Sequence, residues 1–474
     1  MTEVFTPTFA VVGHPNKGKS SIVATLAEDE RVAISNSPGT TRHANAHSMR
    51  MDDQVLYVLV DTPGFQRARA VLDWLEARAS SASERPALVA EFVREHEGDE
   101  RFHDECELLK PILAGAGILY VVDGAKPYGR EYELEMQILQ WTGSPRMALI
   151  NMIGSDDYSL QWRQALDQYF SIVRSFDAMN ADFDNRIGVL RAFAELDERW
   201  RDPLERTVNV LSEERQRRRQ RSAREIAGFI GEALTISERQ TLADTDEPDT
   251  GHEQLKQSLS LRLQQRIVRR EQTARDNVQA IYRWGRLELN DSAGEILATD
   301  LFASEGWELF GLSETKLLIS GLVSGALAGG GVDALLGGAS MLLGAGIGAL
   351  LGGAGAWFGG HELAKVKVLG ENLGGKVLQV GPVSAPNFPW VLLGRAWVHH
   401  HLISERNHAR REAVSVSLSD SQHLMDALSD DVRKSLTRLF KVLAQGRDDA
   451  VLKELGDLLD QVLATDPGTR AGRS

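Results

Sequence analysis

Apolar residues fall along this chain in two different rhythms. Within the first 195 residues, short solid runs occupy 8–13, 54–61 (QVLYVLVD), 116–123 (AGILYVVD), 146–151 (RMALIN) and 171–177. Between them, 20–28, 130–142 and 157–170 carry apolar positions at helical spacing. Runs this short and this rich in Val, Ile and Leu predict strands buried on both faces. Their alternation with helices predicts an α/β domain with a mostly parallel sheet and helices on both faces. From about Arg191 the rhythm changes. Residues 191–290 lack strand runs and are dense in Arg, Glu, Gln and Leu, which predicts two or more long helices, an antiparallel pair, around the acidic break ADTDEPDTGHE at 243–253. A glycine-rich apolar stretch follows at 317–360, then a Pro-rich loop at 380–389 and a helical pattern over 391–464. The expected domains are therefore 1–195 (with 66–101 as an insertion), 196–300 as a long-helix domain, and 301–474 as a glycine-zipper hairpin with C-terminal helices.

Composition narrows the function classes. A net charge of −14 argues against a general nucleic-acid binder, so no DNA partner is expected. One cysteine, Cys106, excludes an internal disulfide framework and fits a reducing compartment. The N-terminus shows no basic region followed by an apolar core, so a cytoplasmic location is expected.

Chemistry concentrates early. Gly13 to Ser20 (GHPNKGKS) meets the phosphate-loop pattern GxxxxGKS between a predicted strand and a predicted helix. In such a loop the backbone N–H groups and the helix N-terminus cradle phosphates. Lys19 would neutralise β/γ-phosphate charge and the Ser20 hydroxyl would ligate Mg²⁺. Asp61 ends a strand in VLVDTPGF, where its carboxylate reaches Mg²⁺ through water, while Gly64 lets a backbone N–H meet the γ-phosphate. SNSPGTTR at 35–42 is a polar loop placed where a nucleotide switch belongs; a Thr there completes the metal shell only while a γ-phosphate is present.

Together GxPNxGKS, PGTTR and DTPG resemble the Era and TrmE branch of the translation-factor-type GTPases, over roughly residues 1–195. The resemblance implies a P-loop GTPase that binds GTP and GDP with Mg²⁺ and hydrolyses GTP slowly unless stimulated by K⁺, dimerisation or a partner. Carried over, Asn16, Lys17, Gly18, Lys19, Ser20 and Ser21 line the phosphates. Ser20 and Thr41 ligate Mg²⁺, with Asp61 acting through water. Asn16 marks potassium-stimulated members, with main-chain atoms of Ser35, Ser37 and Thr40 completing a K⁺ shell. Phe65 stands where Ras-like proteins have a catalytic Gln. In TrmE-like members a glutamate positions water instead; within FHDECELL that implies Glu107, with Asp104 and Glu105 close behind. The other reading of these three is a solvated acidic helix face.

Base recognition is the open point. After the strand ending in ALIN, the family pattern Asn-Lys-x-Asp appears as Asn151, Met152, Ile153, Gly154. Asp156 or Asp157 could accept the guanine N–H groups from a longer loop, or both could cap the helix at 158–170. The Ala178 N–H in SFDAMNA could meet guanine O6. Guanine is expected from the resemblance; an ATP-binding relative stays open.

Around Asp333 lie two uncharged runs of 16 and 27 residues, with small residues every four (Gly321, Gly325, Gly329; Ser340, Gly344, Gly348, Gly352, Ala356, Gly360). That spacing suits close helix packing in lipid. Lys316 on one side and Lys365 and Lys367 on the other would place both ends of a hairpin on the cytoplasmic face of an inner membrane. The alternative is a soluble hairpin under the helical domain. ERQRRRQRSARE (214–225) reads as a charged helix face, and no KH unit with GxxG is evident, so RNA is not an expected partner. The whole chain, through DTPGFQRARAVL, FHDECELLKPILAGAGILYVVDG and NFPWVLLGRAWVHH, is similar to a bacterial family joining an Era-like GTPase to a C-terminal domain of unknown function. The leading expectation is a GTP-hydrolysing switch at the inner membrane surface, able to form a nucleotide-dependent homodimer. A regulatory nucleotide-binding module with negligible turnover and an Era-like RNA-assembly factor are the alternatives.

Overall fold

The computed structural model describes residues 5–28, 43–51, 54–242, 250–282, 301, 364–370, 376–404 and 428–464. They divide into two compact units, one reaching Glu214 and one beginning at Arg215. Ser35, Ser37, Thr40, Thr41 and the glycine-rich segment 317–360 lie outside the described residues.

The first unit is built on a six-stranded sheet of β1 (Thr8–Val12), β2 (Asn45–Met51), β3 (Gln54–Asp61), β4 (Gly117–Asp123), β5 (Arg146–Asn151) and β6 (Ile172–Phe176), in the order β2-β3-β1-β4-β5-β6. All neighbours are parallel except β2 with β3. The solid apolar runs are explained by double-sided burial. Along β1, Phe9 and Val11 enter one core with α1 (Lys19–Ala27) and α7 (Phe183–Leu196), while Ala10 and Val12 enter the other. That second core also takes side chains from α2 (Ala68–Glu76), α3 (Arg85–His96), α4 (His103–Leu113), α5 (Glu131–Trp141) and α6 (Ser159–Leu166). A long helix, α8 (Glu198–Ala233), starts in this unit: Trp200 meets Phe9 edge to face at 5.1 Å, and Phe9 stacks on Phe193. Gly117 is held to glycine by this contact, since a Cβ there would lie 2.3 Å from the Trp200 ring.

The anticipated strands and helices of this unit are present, most ends agreeing to within two residues, though the last expected helix stops at Leu166. β2 was not anticipated. NAHSMRM is an edge strand in which only Met49 and Met51 are buried hydrophobics, so it carries no alternating pattern to read. The stretch expected as an insertion, 66–101, forms α2 and α3 with short 3₁₀ turns at 82–84 and 100–102, and both helices pack on α5.

In the second unit, α8 runs antiparallel to α9 (Thr250–Ile281), with Arg270 reaching both Glu225 and Glu232. The expectation of no strands over 191–290 is corrected by β7 (Glu238–Leu242), and the expected loop at 380–389 is in its first part strand β9 (Lys376–Val383). With β8 (Ala364–Gly370) they form an antiparallel sheet ordered β7-β9-β8. ERQTL is polar enough to pass for helix surface, and Gly381-Pro382 mimics a turn inside a strand. The rest is α10 (Phe388–Ser404), α11 (Asp430–Leu443) and α12 (Asp449–Leu463). α10 is apolar nearly all round and correspondingly buried. Its polar exceptions are partnered: Arg395 Nε donates to Glu271 at 2.8 Å, His399 lies 3.3 Å from Gln279, and His400 lies 3.0 Å from the Tyr282 hydroxyl.

Candidate functional site

The loop between β1 and α1 has the backbone its sequence demands. Gly13 (φ 141°) and Gly18 (φ 80°) take left-handed conformations, and so does Asn16 at φ 59°. A Cβ at Gly13 would lie 2.4 Å from the Val121 carbonyl oxygen, and one at Gly18 would lie 2.3 Å from Asn151 Nδ2, so neither position admits a side chain. Lys19 is folded over the loop, its Nζ donating to the Gly13 and His14 carbonyls at 3.1 and 3.2 Å. Burial lowers the Lys19 pKa, against the opposing pull of Asp61 and then Glu135. Lys17 is buried with its ammonium 5.5 Å from the Tyr132 ring centroid.

The ends of β1 and β3 bring the two motifs together. Ser20 Oγ donates to Asp61 Oδ2 at 2.8 Å. Thr62 Oγ1 donates to the Val11 carbonyl, locking the third motif to β1. Gly64 packs so closely on Pro15 that a Cβ would fall 2.6 Å from its ring. Phe65 turns inward and is buried. Hard oxygen donors from half-buried Ser20 and buried Asp61, side by side next to a phosphate cradle, fit a Mg²⁺–phosphate complex.

The sequence candidates for water positioning separate. Glu107 is partly exposed on α4; its Oε2 accepts the Ala44 N–H at 3.2 Å and its Oε1 accepts from Lys110 at 2.9 Å. Burial would raise its pKa, but the Lys110 and Ala44 hydrogen bonds prevail and hold it below the usual carboxylate value. Glu105 is fully buried and accepts the N–H groups of Gln66 and Arg67. Asp104 shares the first turn of α4.

At the base-recognition end, Asn151 is buried and spans two loops: Nδ2 donates to the Lys17 carbonyl at 3.2 Å, and Oδ1 accepts the Ala178 N–H at 3.1 Å. That N–H is therefore engaged by the protein, and the next two, from Met179 and Asn180, are engaged by Asp177 Oδ1. Asp156 and Asp157 are both exposed. Asp157 accepts the Ser159 N–H at 2.8 Å, at the start of α6, the capping alternative weighed for it. Gly154 approaches Ala125, a Cβ there lying 3.1 Å from the alanine methyl.

One cluster was missed from the sequence. Glu135, buried on α5, lies 2.8 Å from His14 Nδ1 through Oε1 and accepts from the Tyr120 hydroxyl at 2.8 Å through Oε2. The tell-tale signal was available: Tyr132, Glu135, Met136 and Leu139 share one helix face, which puts a glutamate on an apolar stripe.

The sheet order, the phosphate loop and the Ser20–Asp61 pair define the first unit as a P-loop GTPase fold, and a family profile described as 50S ribosome-binding GTPase matches residues 8–152. The profile described as Domain of unknown function (DUF3482) matches residues 163–460, and the chain belongs to that family. GTPase Der of Chlamydia muridarum is 43% identical over 76 residues, 16% of this chain and 15% of the relative. GTPase Der of Lactobacillus helveticus is 35% identical over 147 residues, 28% of this chain and 33% of the relative. The chain thus spans a third or less of these relatives. A solved structure of Era with MgGDPNP and nucleotides 1506–1542 of 16S ribosomal RNA is similar at 19% identity and TM-score 0.30, covering 41% of this chain and 57% of that one. That Era carries RNA, and the expectation that RNA is not a partner of this chain draws no support from the comparisons. Among the described residues, no helix is long and apolar enough to cross a membrane.

Proposed function

We propose that the chain is a guanine-nucleotide switch: it binds GTP and GDP with Mg²⁺ and hydrolyses GTP to GDP and phosphate. The observation that carries this is the 2.8 Å contact between Ser20 and Asp61 beside Lys19 and the Gly64–Pro15 approach. These residues gather from the phosphate loop, the start of α1, the end of β3 and the turn after it, and a metal-bound nucleotide phosphate would engage them together. Lys19 would leave the two loop carbonyls for the β- and γ-phosphates, Ser20 would ligate Mg²⁺, and the Gly64 N–H would turn to the γ-phosphate. The family resemblance supports guanine as the base, K⁺ at Asn16 with Ser35, Ser37 and Thr40, and Thr41 as the second protein ligand of Mg²⁺. Membrane docking through 317–360 and nucleotide-dependent homodimerisation belong to the same reading.

A second reading has its own observation. Phe65 is buried and Glu107 is tied to Lys110 and Ala44, so neither is poised over an attacking water. That favours slow turnover and a regulatory role for the bound state. Two variants test the main reading. Lys19→Ala removes the buried ammonium and should weaken GTP binding by about 100-fold or more, since losing one partner of a buried ionic contact costs roughly 3–5 kcal/mol; unchanged affinity refutes the phosphate site. Asn16→Ala should abolish K⁺ stimulation of turnover while nucleotide still binds; turnover that stays K⁺-dependent removes the potassium site.

A further inference from the structure

We propose that helix α4 registers the γ-phosphate, with Glu105 and Glu107 as positioning residues that hold the two chain segments a triphosphate would draw in. The proposal rests on the guanine-nucleotide reading and extends it to residues that touch no nucleotide.

Glu105 is 0% exposed, and its Oε1 takes both the Gln66 N–H (2.8 Å) and the Arg67 N–H (2.6 Å). Those are the first two residues after the buried Phe65, itself next to Gly64. A carboxylate withdrawn from water is costly unless its hydrogen bonds are good. Among the described residues the other oxygen, Oε2, has no hydrogen-bond partner, so those two N–H groups are what hold the buried carboxylate. They fix where the chain goes once it has passed Gly64. Because Glu105 ties that chain to α4, the Gly64 N–H would meet a γ-phosphate from an already ordered segment, and a turn of the peptide carries α4 with it.

Two residues on, Glu107 does the same for the other segment. Its Oε2 accepts the Ala44 N–H at 3.2 Å, with His43 Nδ1 at 3.8 Å, where the chain enters β2. Its Oε1 is braced by Lys110, which also reaches Glu97 at 3.0 Å. One turn of α4 therefore grips the exits of both phosphate-responsive stretches. Because α4 packs on α3, displacement of that turn is delivered to the helices inserted after the third motif. The insertion becomes the surface that changes with nucleotide state.

The test measures affinity of the full chain, in Mg²⁺ and K⁺, for a fluorescent GDP and a fluorescent non-hydrolysable GTP analogue. Glu105→Ala should raise the Kd of the analogue by about tenfold or more, as expected for losing two charge-assisted hydrogen bonds at a switch, and change the GDP Kd by less than about twofold. Glu105→Gln keeps an acceptor oxygen and should restore the ratio to within about threefold. Glu107→Ala should shift the ratio in the same direction. An analogue-to-GDP ratio within about twofold of wild type in Glu105→Ala overturns the proposal. If Glu105→Ala loses both nucleotides along with its cooperative melt, Glu107→Ala decides, and an unchanged ratio there overturns it. Wild-type protein that binds neither nucleotide would instead defeat the guanine-nucleotide reading, and this proposal with it.

Discussion

Asn151 braces two loops of the site, and its removal should weaken nucleotide binding. It is 2% exposed and joins the phosphate loop, at the Lys17 carbonyl, to the loop after β6, at the Ala178 N–H. Asn151→Ala deletes both hydrogen bonds; at about 1–2 kcal/mol for each of these buried bonds, the brace is worth roughly 2–4 kcal/mol. Bound nucleotide would have to re-order both loops, so most of that sum should appear as lost affinity. An increase of about 30-fold or more in the GTP Kd follows, since 1.4 kcal/mol is tenfold. Asn151→Asp is the sharper variant: it keeps an acceptor for Ala178 but points a carboxylate oxygen at the Lys17 carbonyl, so it should be no better than alanine. Stopped-flow fluorescence of a labelled nucleotide supplies the on- and off-rates, and a thermal melt checks that the domain remains folded. If Asn151→Ala binds within about threefold of wild type while folded, the brace does not hold the site and the reasoning fails.

Ser20→Ala should leave the fold intact, remove the hydroxyl facing Asp61, and flatten the Mg²⁺ dependence of nucleotide affinity; an unchanged Mg²⁺ titration contradicts the metal assignment. The buried pair His399 and His400 sets an acid limit on the second unit. Burial pushes each down from 6.5 to about 3, helped at His399 by Arg275 and at His400 by His401. Between those values the unfolded chain takes up protons that the folded chain refuses. Stability present above pH 6.5 is therefore lost as pH falls toward 3, by up to about 1.4 kcal/mol per pH unit for each histidine. Urea midpoints measured by tryptophan fluorescence should show this, and His400→Gln should make the loss shallower; a slope identical to wild type refutes it.

Much of the first unit was legible because its central strands are buried on both faces, which writes them as solid Val–Ile–Leu runs. The phosphate loop was equally legible, since Gly13 and Gly18 are required by backbone conformation and by contacts that leave no room for a Cβ. Three other strands were not: the edge strands β2 and β7 are polar on exposed faces, and the central strand β9 hides behind Gly381-Pro382. The site shows the same division. Residues fixed by motif, Lys19, Ser20, Asp61 and Gly64, are read from their order alone, and the fold brings them to one end of β1 and β3. Glu105, whose work is done through the distant backbone of Gln66 and Arg67, needs three dimensions to be recognised, whereas Glu135, at the His14 ring, stands in the sequence as a glutamate on an apolar helix stripe. Glu105 in particular was grouped with Glu107 by proximity in sequence, yet one faces the core and the other the rim.

The central claim is that this site selects a guanine nucleotide even though Met152 and Gly154 stand where a Lys and an Asp are usual for the resemblance. Competition of unlabelled GTP and ATP against a labelled nucleotide, with the full chain in K⁺ and Mg²⁺, tests it directly. The account predicts that GTP wins by about 100-fold or more, about 2.7 kcal/mol of discrimination. Equal competition would contradict it, because a loop that holds phosphates without reading the base cannot run a guanine-nucleotide cycle.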